Sequence, residues 1–409
     1  MQPLSEIIKT LIALRQRGRA KITLLAVCPN SAAVLEAAVR VASVNNAPML
    51  FAATLNQVDI DGGYTGWTPA EFVHLLHRMA NKYHWDGPLY PCLDHGGPWL
   101  KDRHTLDKLS LDETMAKVKD SLTACIQAGY QLLHIDPTID RTLLTDELVP
   151  LDTVVERVVE LMRHAETVRR ACGLPKVSYE VGTEEVHGGL VDIQRFEEFI
   201  RKLKYALDTH NLRDIWPCFV VAQVGTNLHT TYFDSSAAMR LQAILSPLDS
   251  LVKGHYSDWV ENPQAYPETG MGGANVGPEF TSEEYLALKD LAHKENSLFR
   301  GRPDLIPSKF MEVLKQTIVE SGRWKKWLQL DEERLEFETL SLDRQSWLLQ
   351  TGARYIWTEP AVLSARRNLY QNLSLIMPDP NDYVITRIAH RMDRYINHFN
   401  LFDSLELLQ

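Results

Sequence analysis

Asp94 and His95 stand side by side in LDHGGP, and His255 and Asp258 lie close together in GHYSD. A neutral imidazole can ligate a divalent metal while a neighbouring carboxylate orients it or moves a proton. A second His and carboxylate on another segment are what a metal site assembled from several loops requires. A capping Asp beside a surface His is the plainer reading of the first pair taken alone. Other polar residues recur where apolar runs end: Asn56 and Gln57, His134 and Asp136, Glu184 and Gln223. In YEVGTEEVHGG, Glu180 lies within the run, and Glu184 follows a Gly-Thr turn and is the expected pocket carboxylate. Glu185 and His187 read as solvated loop residues, and His229 is an alternative third imidazole. His134 and Asp136 have alternate spacing, so both can point inward, with a core His bonded to that Asp as the competing reading.

For these residues to meet, the segments carrying them must share one face. Apolar runs without alternation span Ile22–Cys28, Met49–Thr54, Leu89–Leu93, Leu132–Asp136, Val177–Val181, Cys218–Gln223, Ser250–Gly254 and Ala274–Val276. Such runs fit strands buried on both faces of a parallel sheet. Segments of helical period separate them, as in SAAVLEAAVRVA, where Ser31 is placed to cap. The economical fold is an α/β (β/α)8 TIM barrel over residues 1–300, whose strand ends all open on one side. A doubly wound open sheet is the alternative. After GGYTGWTP, Thr68 is expected to cap the next helix with Pro69 at its first position. The polar stretch that follows LDHGGP reads as a mobile lid or a wall over the pocket. Residues 301–409 turn helical and tryptophan-rich (Trp324, Trp327, Trp347, Trp357), a helical extension packed on the barrel whose Trp stripe suits core or a subunit interface.

Composition narrows the function classes. The 409 residues are 45% hydrophobic, enough for a large core. A formal charge of -10 argues against nucleic acid, which demands clustered Lys and Arg. The basic run Arg15, Arg17, Arg19, Lys21 reads as a solvated helix end. Five cysteines without C-x-x-C spacing suit reduced thiols, and no apolar run approaches a membrane span or a signal block, so a cytoplasmic protein with no membrane partner is expected. P-loop, dinucleotide and nucleophile-elbow motifs are all missing, which leaves no nucleotide cofactor. The glycines of ETGMGGANVGPEF, chiefly Gly272, Gly273 and Gly277, form the best phosphate cradle, with a plain flexible turn as the competing reading.

NQV with GGYTGWTP, DHGGP, HID, GTE, GHYSD, NVGPEFT and ARYIW together resemble the accessory, non-catalytic subunit family of class II tagatose-bisphosphate aldolases, the GatZ/KbaZ group. Some members have been labelled tagatose 6-phosphate kinases. The resemblance spans nearly the whole chain and implies a TIM barrel and phosphorylated ketohexose substrates. For relatives that act alone, it implies C-4 epimerisation between tagatose 6-phosphate and fructose 6-phosphate. By motif, Asp94 and His95, Glu184, and His255 with Asp258 match the family's site segments. The resulting expectation is a divalent metal, zinc first and manganese second, on His95, His255 and Glu184. Asp94, Asp258 and Glu184 carry the catalysis. Asn56, Gln57, Asp136, Gln223, Gly272, Gly273 and Gly277 bind the substrate. A homo-oligomer is expected, and the alternatives are a silent subunit that stabilises a class II aldolase catalytic partner and, more distantly, a kinase. Two departures bear on the sugar: the family commonly has DHLGP where this chain has DHGGP, and Gly-rich YPETGMGGA replaces the helix expected before the eighth strand.

Overall fold

Eight parallel strands close into a barrel in sequential order. They are β1 (Leu24–Val27), β2 (Met49–Thr54), β3 (Leu89–Gly96), β4 (Leu132–Ile135), β5 (Ser178–Gly182), β6 (Phe219–Val221), β7 (Leu251–Gly254) and β8 (Gly273–Val276). The computed structural model describes residues 2–144, 147–182, 190, 192–227, 230–299, 302 and 305–408. Closure runs through β1 and β8, with Leu24 opposite Gly273 and Val27 opposite Val276. Almost every strand residue is buried, because helices cover the outer face while side chains fill the interior. The sheet is therefore a closed TIM barrel and not an open, doubly wound one.

Local chemistry starts and stops the helices as the sequence suggests. Ser31 accepts the Val34 N–H at the start of Ala32–Val44, and Thr68 with Glu71 forms a capping box ahead of Pro69–Lys82. Before β8 a short helix, Ala265–Thr269, occupies part of the stretch expected to lack one, and it ends at left-handed Gly270. Arg15 departs from its expected solvated role. Its guanidinium donates to the carbonyls of Ile22, Gly270 and Met271, tying the Leu4–Gln16 helix to the floor of the barrel.

Past the Pro278–Phe299 helix, the chain folds back over the barrel. The Pro380–His398 helix lies on Ala32–Val44 and Pro278–Phe299. Tyr395 Oη donates to the Ser257 carbonyl at 3.0 Å, and Thr23 N donates to the Phe399 carbonyl at 3.1 Å. Trp324 and Trp357 are buried in this layer, whereas Trp327 is half-buried and faces the barrel mouth. At that mouth the extension grips two barrel loops: Thr358 Oγ1 donates to the Tyr64 carbonyl at 3.1 Å, and Arg323 and Lys326 pair with Asp102 at 2.9 and 2.7 Å. The segment after β3 is a wall pinned by hydrogen bonds. Asn56 holds both ends of its turn, donating to Leu100 O at 3.0 Å and accepting Asp102 N–H at 2.9 Å.

Candidate active site

The C-terminal ends of the strands surround a cavity of about 500 Å³, a size suited to a small metabolite. Asp94, His95, His134 and His255 meet at its floor, their ligand atoms all within 4.8 Å of one another. A bulge in the β3–β4 ladder and a left-handed backbone at His95 (φ 51°) explain how adjacent Asp94 and His95 share one centre. A regular strand would send them to opposite faces. A non-glycine residue there costs on the order of 1–3 kcal/mol and persists where the surroundings impose it.

Hydrogen bonds set the tautomers. His95 Nδ1 lies 2.6 Å from Asp136 Oδ2, and His255 Nε2 lies 3.1 Å from Glu180 Oε1. Ionised carboxylates only accept, so both of these ring nitrogens carry hydrogen. The remaining nitrogens, His95 Nε2 and His255 Nδ1, then face each other at 3.1 Å with lone pairs converging. With both rings neutral, two lone pairs at that distance repel unless a cation lies between them, either a proton on His95 Nε2 or a metal ion, and a carboxylate behind each imidazole is the arrangement of metal-ligating histidines. His134 Nδ1 accepts the His95 backbone N–H at 3.1 Å, so its 3.2 Å approach to Asp94 Oδ1 also brings two acceptors together. The donor set thus fits a divalent metal with nitrogen and oxygen ligands.

Charge behaves accordingly. Burial alone would raise the Asp94 carboxyl, but His95, His255 and Lys253 hold it well below the usual carboxylate range, and Asn275 Nδ2 donates to its Oδ2 at 3.1 Å. Burial would lower His95, but Asp94 and Asp136 lift it to about 9, while burial takes His255 down to about 4, so without an ion His95 keeps a proton that its Nε2 can donate to neutral His255 Nδ1, the place a metal would take. Beneath the cluster, Lys253 Nζ reaches both oxygens of Glu180, at 2.9 and 2.6 Å, with both side chains buried. Removing one partner of such a pair costs about 3–5 kcal/mol. The pair keeps Glu180 ionised behind His255.

A model of the D-tagatose-1,6-bisphosphate aldolase subunit GatZ/KbaZ-like family matches residues 8–397. The chain belongs to this family. Among solved structures, a probable tagatose 6 phosphate kinase from Sinorhizobium meliloti 1021 is similar over 92% of this chain and 100% of that one, with a TM-score of 0.74 and 22% identity. Fructose-bisphosphate aldolase from Campylobacter jejuni is similar over 98% of this chain and 95% of its own, with a TM-score of 0.57 and 9% identity. At these identities the likeness is one of fold.

In this GatZ/KbaZ-like barrel, several expected site residues take other places. Asp94, His95 and His255 come together, and Asp258, Asn56, Gln57 and Gly277 line the same cavity. Asp136 is behind His95 and shares its other oxygen with Thr138, so it orients the imidazole and does not line the cavity. The competing His134–Asp136 pairing is not formed either: His134 meets Asp94, and Asp136 meets His95. Gln57 Oε1 accepts Thr54 N–H and its Nε2 donates to Asn30, so its amide braces the loop. Gln223 follows β6, half-buried, and is not among the described residues that line the cavity.

Gly272 and Gly273 lie at the start of β8, the end remote from the mouth, where a Cβ would meet Leu251 at 2.4 Å and Lys253 at 3.3 Å respectively. Close packing, and not phosphate, accounts for these glycines. Gly277 is at the mouth, but its N–H and that of Glu279 donate to Asp258 Oδ1 at 2.9 and 2.8 Å. Glu184, Glu185, His187 and His229 lie outside the described residues. Sequence reasoning passed over Glu180, Lys253 and Asn275. A charged residue inside an otherwise apolar strand was the available signal for the first two, whereas Asn275 carries no such mark.

Proposed function

We propose that this protein is a metal-dependent, aldolase-type enzyme acting on ketohexose 6-phosphates, and that it inverts C-4 by retro-aldol cleavage and re-addition. The observation that carries this reading is the pair of imidazoles, each backed by a carboxylate, whose remaining nitrogens converge 3.1 Å apart at the floor of a metabolite-sized cavity. Family membership supports the sugar-phosphate class, and the zinc-first expectation fits the nitrogen donors. His95 and His255 would hold the metal, with Asp94 and His134 within reach and Glu184 as the further ligand that the motif suggests. An ion held there would supply Lewis acidity that stabilises the negative charge developing on the ketose.

The chain's own residues supply the rest. A carboxylate takes the C-4 hydroxyl proton, the C-3–C-4 bond breaks, and its electrons pass to the C-2 carbonyl as an enediolate. The aldehyde turns, the bond re-forms on its other face, and the proton returns to the C-4 oxygen. Asp94, kept ionised beside the imidazoles, is the first candidate for that carboxylate, and Asp258 is the second. The roof of Trp327, Leu328 and Tyr355 from the extension retains the fragments, which is what separates epimerisation from net cleavage.

The purified protein with zinc or manganese should interconvert fructose 6-phosphate and tagatose 6-phosphate without ATP, followed by proton NMR of the sugar mixture. Asp94→Asn should abolish the exchange and leave the circular dichroism spectrum unchanged. Silence alone, combined with equal stabilisation of a class II aldolase catalytic subunit by wild type and Asp94→Asn, would establish the accessory-subunit reading instead.

A further inference from the structure

The start of the Pro278–Phe299 helix cannot serve as the anion site, because Asp258 already accepts its N–H groups. The unmatched hydrogen-bond donors lie elsewhere on the same cavity. Arg354, which the extension delivers to the mouth, is 7% exposed, and its Nε and Nη2 have no partner. Among the described residues no carboxylate lies within ion-pair distance of it. Its guanidinium lies 4.6 Å from the Trp327 ring centroid and 5.0 Å from that of Tyr355, whose hydroxyl also interacts with it, and this leaves the Nε and Nη2 hydrogens unengaged.

Two more residues that line this cavity carry a buried donor without a partner. Trp327 Nε1 has no acceptor. Asn30 is oriented by a chain of obligate partners. Thr54 N–H must donate, so Gln57 presents Oε1 to it and Nε2 to Asn30 Oδ1, which also accepts the Tyr64 hydroxyl; both contacts are 2.7 Å. Asn30 must therefore turn Nδ2 the other way, and that nitrogen is buried without a partner. Lys326 adds positive charge at the rim while paired with Asp102. A buried, unpaired guanidinium beside unsatisfied N–H groups is costly unless a ligand brings acceptor oxygens.

We propose that Arg354, Trp327 Nε1 and Asn30 Nδ2 form the subsite for the phosphate monoester of the substrate, so that the helical extension and not the glycine segment recognises the anion. This rests on the sugar-phosphate reading above and specifies how that class is selected. A planar guanidinium suits two phosphate oxygens at once, and the mouth lies above the imidazole cluster, where the far end of a ketose held at C-2 and C-3 would reach.

Calorimetric titration of the metal-loaded protein separates this proposal from the reaction chemistry, because binding is read without turnover. Wild type should bind fructose 6-phosphate at least tenfold more tightly than fructose. Arg354→Gln should lose most of that difference, with metal content and thermal midpoint unchanged. Trp327→Phe, which keeps a ring under the guanidinium and removes one donor, should lose a smaller part, about threefold to tenfold, and it carries the test if Arg354→Gln does not fold. If Arg354→Gln, or Trp327→Phe in its place, binds both ligands as wild type does, the subsite is wrong even if epimerisation proceeds. If wild type binds fructose as tightly as its phosphate, the phosphate subsite is also wrong, and turnover of free ketose would then leave the retro-aldol reading intact.

Discussion

Asp258 is the residue at which geometry and proton affinity make the sharpest demand. Burial, aided by the neighbouring Glu279 charge, lifts its carboxyl to about 7, against the pull of the Gly277 and Glu279 N–H groups and of Arg354. Glu279, Arg354, Cys28, Tyr266 and Tyr395 are ionisable groups in its electrostatic reach. Its folded affinity for a proton exceeds the unfolded one, so its contribution favours folding at low pH and is lost as pH rises from about 4 through about 7. Asp258→Asn keeps an oxygen for the two N–H groups and removes the titration, so its stability relative to wild type should improve above pH 7. For catalysis the sign is opposite, because a general base must be ionised. If Asp258 takes the C-4 proton, kcat/KM rises through about pH 7 and Asp258→Asn loses both the rise and the activity. An active Asp258→Asn whose profile is flat through pH 7 assigns the step to Asp94, which is ionised throughout that range. The DHGGP and GHYSD strings made the convergence of His95, His255 and Asp94 legible. Arg354 and Asn30 were not legible, since each becomes significant only through contact with elements far away in sequence.

At the scale of elements, the site depends on how β3 ends. The sequence suggests a glycine turn after the strand. In the structure the strand continues to Gly96, and the turning is done by a bulge and left-handed His95. The two glycines that follow are unequal. A Cβ on Gly97 would sit 1.7 Å from the Asp136 carbonyl oxygen and 2.5 Å from its carbonyl carbon, backbone atoms that cannot swing aside, with Leu100 Cδ1 next at 3.0 Å. A Cβ on Gly96 would meet Leu93 Cδ2 at 2.7 Å and the His134 carbonyl at 2.8 Å. The position where the family commonly carries Leu is thus the less obstructed of the two. Gly97→Ala should push the Asp136 backbone away, release the His95 Nδ1 contact, and lower metal content and melting temperature together, with a cost of about 1–3 kcal/mol or more. Unchanged metal content by elemental analysis would contradict this account of the turn. Strand positions were readable because runs buried on both faces lack alternation. The role of Gly272 and Gly273 was misread because a glycine that admits Leu251 and Phe219 looks the same in sequence as one that cradles a phosphate.

Over the whole molecule, barrel and extension share both their core and the proposed pocket. Buried Tyr395 sits edge-on to Phe280 and Phe399, Arg387 spans Glu283 and Asp290, and Arg366 pairs with buried Glu284. These ties run the length of the Pro278–Phe299 helix, which closes the last βα unit of the barrel. No helix among the described residues is long and apolar enough to cross a membrane, and Leu314, Leu369 and Ile388 of the extension are buried in the same hydrophobic core as the barrel. An extension anchored in that way cannot unfold by itself without exposing the core beneath it, and the two should form one cooperative unit. Peptide-resolved hydrogen exchange across a denaturant series tests this directly. The Pro380–His398 helix and strands β1 and β8 should lose protection at the same denaturant concentration. Earlier release of the helix, or a protease-trimmed barrel of residues 1–300 that keeps its preference for the phosphorylated sugar, would separate the two parts and would remove Arg354 from the pocket's chemistry.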